Sequence, residues 1–372
     1  MDHKTKLNEY ITCALFAGFL GLMFLGYLFL PKADFSEKEK RNLQSAPALT
    51  VETLTDGTFS KEAESYAADH MPMRDALVSL GAYYRRALGL GGTEEIYTFK
   101  GDRLVERPVV YDAAAVKKNM AAIDRFTQKA AGQVDVMLIP SAGYVQKHLA
   151  EGNQLTFTDG EQIGKIYESL PDSVAAVDVI TPLMAESERS YYRTDHHWTS
   201  RGAYLAHKAY LEQKGKEALP QSAYKVETVG GFYGSTYARS GLWLTPPDDL
   251  EIWHSGGEFT VWNADSNATV GTLYNRENLS SADPYTVYLD GNHSLVRIKN
   301  PKGTGKLLLI RDSFSNCLGT FLADSYAEIL LVDLRYYKGG MDSILEEGFD
   351  DILIAYSLSN FMTDPNIIYL SY

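Results

Sequence analysis

Two short runs carry the side chains of an acyl-transfer site. Thr194-Asp195-His196-His197-Trp198-Thr199 sets a carboxylate beside two imidazoles, just ahead of a predicted helix. Leu307-Leu308-Leu309-Ile310-Arg311-Asp312-Ser313-Phe314 sets a serine where an apolar strand turns into a helix. A serine hydroxyl is a weak nucleophile until an imidazole takes its proton, and that imidazole needs a carboxylate to fix its tautomer. Asp195 and His197 stand two apart, a separation at which neighbours in a turn can hydrogen-bond. The residue types leave open whether His196 or His197 is the base. Ser313 falls at the carboxyl end of a strand, the edge where open α/β sheets place their ligand crevice. A helix N-terminus there supplies N–H groups for a developing oxyanion. The plainer alternative is that Asp312 or Ser313 only caps the helix.

Other residues can complete such a site. The turn Pro140-Ser141-Ala142-Gly143 follows an earlier strand and can bring Ser141 to the same edge as an oxyanion or accessory group. Asn316 is a second accessory candidate, although its place one turn into a helix predicts that it faces outward. Trp198 and Tyr233 are candidate substrate contacts, with Tyr237 and Trp243 as further rings able to stack on a sugar. Packing within a Gly-rich lobe is the competing explanation for these aromatics. Asp195, His196, His197 and His207 are all potential metal ligands. Adjacent histidines rarely share one ion in a compact site, and no HxxxH or CxxC spacing occurs, so neither metal nor cofactor is expected.

The elements that must position these groups follow a helix–strand rhythm from about residue 112. Ala113 to Ala130 predicts an amphipathic helix, Val134 to Ile139 a buried strand, and Gly160 to Leu170 a helix. Val174 to Ile180 predicts a second strand, and Thr199 or Ser200 caps a helix running to about Lys214. Lys306 to Ile310, Ile329 to Asp333 and Ile352 to Ala355 are further short apolar strands separated by helical stretches. Such alternation predicts an α/β fold, a doubly wound parallel sheet covered on both faces. Residues 222–304 break the rhythm and are rich in Gly, Tyr, Thr and Asn, which marks an inserted irregular, β-rich segment. Ahead of this α/β catalytic domain (112–372) lies a membrane-proximal region (35–111) with a polar connector, a helix interrupted at Met71-Pro72-Met73, and a hairpin turning at Lys100-Gly101-Asp102.

Ile11 to Leu30 is apolar throughout and carries no charge. About 20 such residues cross a bilayer as a helix, so residues 1–34 are expected to form a single membrane anchor. No small-x-small cleavage site follows, which favours an uncleaved anchor over a signal peptide. Lys32, Lys38, Lys40 and Arg41 outnumber Lys4 and Lys6 on the other flank, so flanking charge does not argue for an outside C-terminal part. Long domains translocate largely regardless of that charge. A net charge of −13 argues against a nucleic-acid partner, which would need a basic face. The 25 tyrosines suit sugars and other amphipathic ligands, and equally suit a core. Cys317 is the one cysteine beyond the apolar stretch, so no intramolecular disulfide is expected there.

TDHHWT, the later RDSF turn and the single N-terminal apolar helix together resemble the DHHW protein family. FSEKEKRNLQ, FSKEAESYAADHMPMRD, GGFYGSTYARSG and AEILLVDLRYY agree in order and spacing, so the resemblance covers nearly the whole chain. That family is similar to the alginate O-acetyltransferases of the SGNH-hydrolase-like superfamily. The resemblance implies Asp195 as orienting acid, His197 as general base and Ser313 as nucleophile. It also implies an acyl-serine intermediate, a cell-envelope or exopolysaccharide acceptor, an extracytoplasmic catalytic part, and a multi-pass membrane-bound O-acyltransferase as donor partner. Two positions depart from the pattern: 196 is a second histidine, and 311 is Arg where many SGNH proteins carry Gly. A sugar O-acetyl esterase with the same triad and a non-catalytic glycan-binding scaffold subunit are the alternative readings.

Overall fold

The computed structural model describes residues 3–372 except 151, 153 and 154. Its N-terminal helix, His3–Phe29, contains one stretch (Leu7–Phe29) long and apolar enough to cross a membrane, and none of that stretch is buried against the rest of the chain. A hairpin of β1 (Phe35–Ser36) and β2 (Arg41–Asn42) follows. Next come the helices Thr58–Asp69 and Arg74–Ala87, broken at Met71-Pro72-Met73, and the hairpin of β3 (Tyr97–Phe99) and β4 (Arg103–Val105).

The helix–strand region then supplies β5 (Gln133–Ile139) and β6 (Val174–Ala176). The segment at 222–304 contributes β7 (Lys225–Phe232), β8 (Asp248–His254), β9 (Thr260–Asn263), β10 (Ala268–Val270) and β11 (Leu295–Lys299). The chain closes with β12 (Lys306–Arg311), β13 (Glu328–Val332) and β14 (Asp351–Ser357). Eight strands form one sheet in the order β10-β9-β11-β13-β12-β14-β5-β6. From β13 to β6 every neighbour is parallel, whereas β10, β9, β11 and β13 pair antiparallel. The parallel sheet predicted from the apolar rhythm is therefore five strands wide. The Gly- and Tyr-rich segment is more than an insertion beside it, because three of its strands lengthen the same sheet while β7 and β8 pair apart.

Both faces of the parallel half are covered, as alternating side chains show. Met137, Ile139, Leu307, Leu309, Leu331 and Leu353 point into one apolar core. Val136, Leu138, Leu308, Ile310, Leu330 and Ile354 point into the other. A strand buried on both faces has no solvent side to place polar residues on, which is why these stretches read as continuous apolar runs. The helix Ala113–Thr127 covers the second core, with Val116, Ile123 and Phe126 inward and Asp112 accepting from the N–H groups of Ala114 and Ala115. Ser200–Gln213, capped by Thr199, and Ser315–Leu322 cover the first. Each fully buried leucine is worth roughly 1.5–3 kcal/mol over leaving it in water. The chain passes from β12 to β13 on one side and then to β14 on the other. Such a reversal opens a crevice at the carboxyl end of the middle strand. Ser313 follows β12 at that point.

Candidate active site

Ser313 lies in the turn between β12 and the helix Ser315–Leu322, which starts two residues later than the start at Ser313 that the sequence suggests. Asp312, wholly buried, organises this turn. Its Oδ1 accepts from the Phe314 N–H at 3.1 Å, and its Oδ2 accepts from the Ser357 N–H and from Asn360 Nδ2, each at 2.8 Å. The turn is thereby tied to the end of β14. The N–H of Ser313 itself donates to no group among the described residues.

The histidine loop arrives from the other side, between Tyr191 and the helix Ser200–Gln213. Thr199 closes it by capping that helix and donating to the Arg189 carbonyl. The Asp195 carboxylate folds back on its own loop: Oδ1 accepts from the His197 N–H at 2.8 Å and faces Nδ1 of the same residue at 2.6 Å. Nε2 of His197 faces Ser313 Oγ at 2.8 Å. A carboxylate only accepts, so Nδ1 carries the proton and Nε2 is left to accept from the serine hydroxyl. All three side chains are buried, with Ser313 the most open at 9% exposure. Between the two candidate imidazoles, it is His197 that bridges Asp195 and Ser313.

Burial alone would raise the Asp195 carboxyl. The imidazoles of His197 and His196 and the hydrogen bonds from His197 and the Ser235 N–H outweigh it and hold this carboxyl well below the usual range. His196 turns away from the serine. Its Nδ1 faces Ser235 Oγ at 2.5 Å, and its ring packs on His197 at 3.9 Å. Burial, reinforced by the neighbouring His197, pushes its pKa down to about 4, so it is neutral at pH 7. His196 lines a cleft of about 270 Å³ together with Phe314, Ser141, Ser235, Arg239 and Asn360. Asp195, His196 and His197 are also the described group whose ligand atoms lie within 4.8 Å of one another. Both nitrogens of His197 and Nδ1 of His196 are already engaged in hydrogen bonds.

Several sequence-based expectations need correction. Trp198 is wholly buried: its Nε1 donates to the Phe314 carbonyl at 3.0 Å, joining the histidine loop to the serine turn instead of meeting substrate. Tyr233 packs its ring on Tyr237 at 4.2 Å, its carbonyl accepts from Lys40 Nζ in the β1–β2 hairpin, and it is not among the residues lining the cleft. Tyr237 and Trp243 are buried in a small core of their own. Asn316 faces inward and not outward, because the helix Ser315–Leu322 is buried on every side, and its Nδ2 donates to Asn292 Oδ1 at 3.0 Å. Ser141 does reach the cleft wall, but its N–H donates to Asp159 Oδ2 at 2.7 Å and is not free for an oxyanion. His207, a possible ligand by type, is buried in the helix Ser200–Gln213, and among the described residues neither of its nitrogens has a hydrogen-bond partner.

Three contributors escaped the sequence reading. Ser235 donates its N–H to Asp195 Oδ2 at 2.6 Å. Gly234 before it leaves no room for a side chain, since a Cβ there would stand 2.2 Å from Asp195 Cβ. Tyr285 stacks on the His197 ring at 3.9 Å with 4° between the planes. The Gly-Ser pair inside GGFYGSTYARSG was the available signal for the first two. Nothing in the composition around Tyr285 distinguished it from the other tyrosines.

Solved structures with this fold include a DHHW family protein from Eubacterium siraeum. It is 24% identical, with 75% of this chain and 97% of that one covered and a TM-score of 0.65. Bacillus cereus PatB1 with a sulfonyl adduct is 18% identical, with 74% and 98% covered and a TM-score of 0.63. The O-acetyltransferase domain of Pseudomonas putida AlgJ is 14% identical, with 74% and 98% covered and a TM-score of 0.46. No curated protein matches the chain. The family model described as DHHW protein matches residues 95–332, more than half of the sequence and the whole span from the β3–β4 hairpin to β13, and the chain accordingly belongs to the DHHW protein family.

Proposed function

We propose that this protein is a membrane-anchored, extracytoplasmic O-acetyltransferase that esterifies hydroxyls of a cell-envelope or exopolysaccharide through an acyl-serine intermediate. The observation that carries the proposal is the continuous run of contacts Asp195–His197–Ser313, at 2.6 and 2.8 Å, beside an open cleft. Ser313 Oγ attacks the acyl carbon of the donor ester as its proton passes to His197 Nε2. Asp195 keeps Nδ1 protonated and stabilises the imidazolium. The unpaired Ser313 N–H stabilises the oxyanion. Collapse of the tetrahedral species breaks the donor's ester bond, and the leaving alkoxide takes the proton from His197. The acceptor sugar hydroxyl then gives its proton to His197, attacks the acyl-serine, and leaves as the new ester with Ser313 restored. The N-terminal helix holds the catalytic part beside a multi-pass membrane-bound O-acyltransferase that supplies acyl groups.

The test is intact-mass analysis of the full chain in detergent after exposure to p-nitrophenyl acetate, with phenylmethylsulfonyl fluoride as a second probe. Ser313→Ala and His197→Ala run beside the parent. The parent should gain one acyl or one sulfonyl group on Ser313, and removal of either side chain should lower turnover by about 10⁴-fold with the fold intact. Full turnover in Ser313→Ala would sink the assignment. Adding candidate oligosaccharides then partitions the acyl group between sugar and water.

A further inference from the structure

The hairpin that follows the N-terminal helix reaches the turn on which Asp195 rests. Lys40, at the close of the β1–β2 hairpin, has a φ of 52°, a left-handed conformation uncommon outside Gly, Asn and Asp. Its half-buried Nζ donates to the Tyr233 carbonyl. Tyr233 immediately precedes Gly234, whose N–H donates to Thr194 Oγ1 at 3.2 Å, and Ser235, whose N–H donates to Asp195 Oδ2 at 2.6 Å. The hairpin is itself clamped from behind. Arg41 grips Asp69 with both terminal nitrogens at 2.9 and 2.5 Å, and Arg74 pairs with Glu39 at 2.8 Å. One line of contacts thus runs from the helices after the membrane segment, through the hairpin, to the carboxylate that orients His197.

We propose that Lys40 is a positioning residue for the Asp195–His197 pair, acting through the Tyr233–Ser235 turn. Its rate readout rests on the reading of Ser313 as nucleophile, whereas its spectroscopic readout does not. An ammonium bound to a carbonyl fixes that peptide unit in place, and the two following N–H groups inherit the orientation. Burial lowers the Lys40 ammonium below its ordinary range, and the Asp283 and Asp195 carboxylates oppose that shift without cancelling it. Lys38, on the same hairpin, provides the contrast: it is exposed and reaches a side chain, the Tyr237 hydroxyl at 3.3 Å, where Lys40 reaches the turn's backbone.

The experiment compares the full-length parent in detergent with Lys40→Met, Lys40→Arg and Lys38→Met. Two quantities are read: the rate of Ser313 modification by phenylmethylsulfonyl fluoride, and the low-field proton resonance of the His197–Asp195 hydrogen bond. Lys40→Met should react about ten- to a hundredfold more slowly at an unchanged melting temperature, the penalty for a small misalignment. Its low-field resonance should shift or vanish. Lys40→Arg should restore both signals and Lys38→Met should keep both. A parent that shows the resonance but no modification, with the resonance lost in Lys40→Met, would overturn the nucleophile assignment and still support this inference. Parent-like rate and resonance in Lys40→Met would overturn it, as would an equal loss in Lys38→Met, which would mean that only hairpin docking matters.

Discussion

The parallel half of the sheet and the segment at 222–304 serve one serine by different physics. β5, β12, β13 and β14 hold the turn at 312–314 by mass of packing, with apolar cores on both faces and nearly every side chain buried. The 222–304 segment also lends side chains such as Phe232, Val287 and Tyr288 to the first core, but at the triad its part is a few directed contacts. It offers the Ser235 N–H, the missing Cβ of Gly234 and the face of Tyr285. Packing free energy is spread over many residues and tolerates no single large void. Alignment rests on two or three contacts and tolerates no small displacement. Damage to one region should therefore appear as lost stability, and damage to the other as lost rate.

The largest effect expected on that contrast comes from Leu309→Ala in β12, fully buried in the first core. Unfolding free energy should drop by roughly 2–5 kcal/mol, while kcat per folded molecule stays near that of the parent. Denaturant melts combined with active-site titration check both halves of the statement, and a rate loss exceeding the folded-fraction loss would break the division. Gly234→Ala probes the other region. Its new methyl group meets Asp195 within 2.3 Å, so kcat on p-nitrophenyl acetate should fall by about 10²-fold for a smaller loss of stability. A smaller effect comes from His207, whose buried imidazole has its pKa pushed down to about 3 by desolvation. In the unfolded chain it takes a proton near pH 6.5, and in the folded chain it does not. Its contribution is therefore intact above pH 6.5 and is lost as pH falls toward 3, about 2 kcal/mol being gone by pH 5. His207→Leu should flatten that part of the stability–pH curve without moving the activity profile; an unchanged curve would show that the loss lies elsewhere.

The same contrast explains what was legible in the sequence. Strands buried on two faces have to be apolar throughout, so β5, β12, β13 and β14 stand out as runs. The Asp195–His197 pairing was legible because it closes locally: one carboxylate oxygen meets both the N–H and the ring of the second residue on. The antiparallel extension was not. β9 and β10 are short and partly or wholly exposed, and their place is set by pairing through β11 to β13 rather than by any pattern of their own. Trp198 as a substrate contact, and Tyr233, Tyr237 and Trp243 as rings for a sugar, stood beside plain packing because an aromatic residue type says nothing about whether its ring faces solvent or core. Asn316 was expected outside because helix periodicity assumes a wet face, and the helix Ser315–Leu322 has none.

Trp198 joins the histidine loop to the serine turn by bonding to the backbone carbonyl of Phe314, with no reactive side chain involved. The bond survives any replacement of the serine hydroxyl. A variant without that hydroxyl keeps the two loops latched, and with them the cleft beside them. On the proposed function, a single substitution at position 313 therefore silences the chemistry while leaving the latch between the two loops in place.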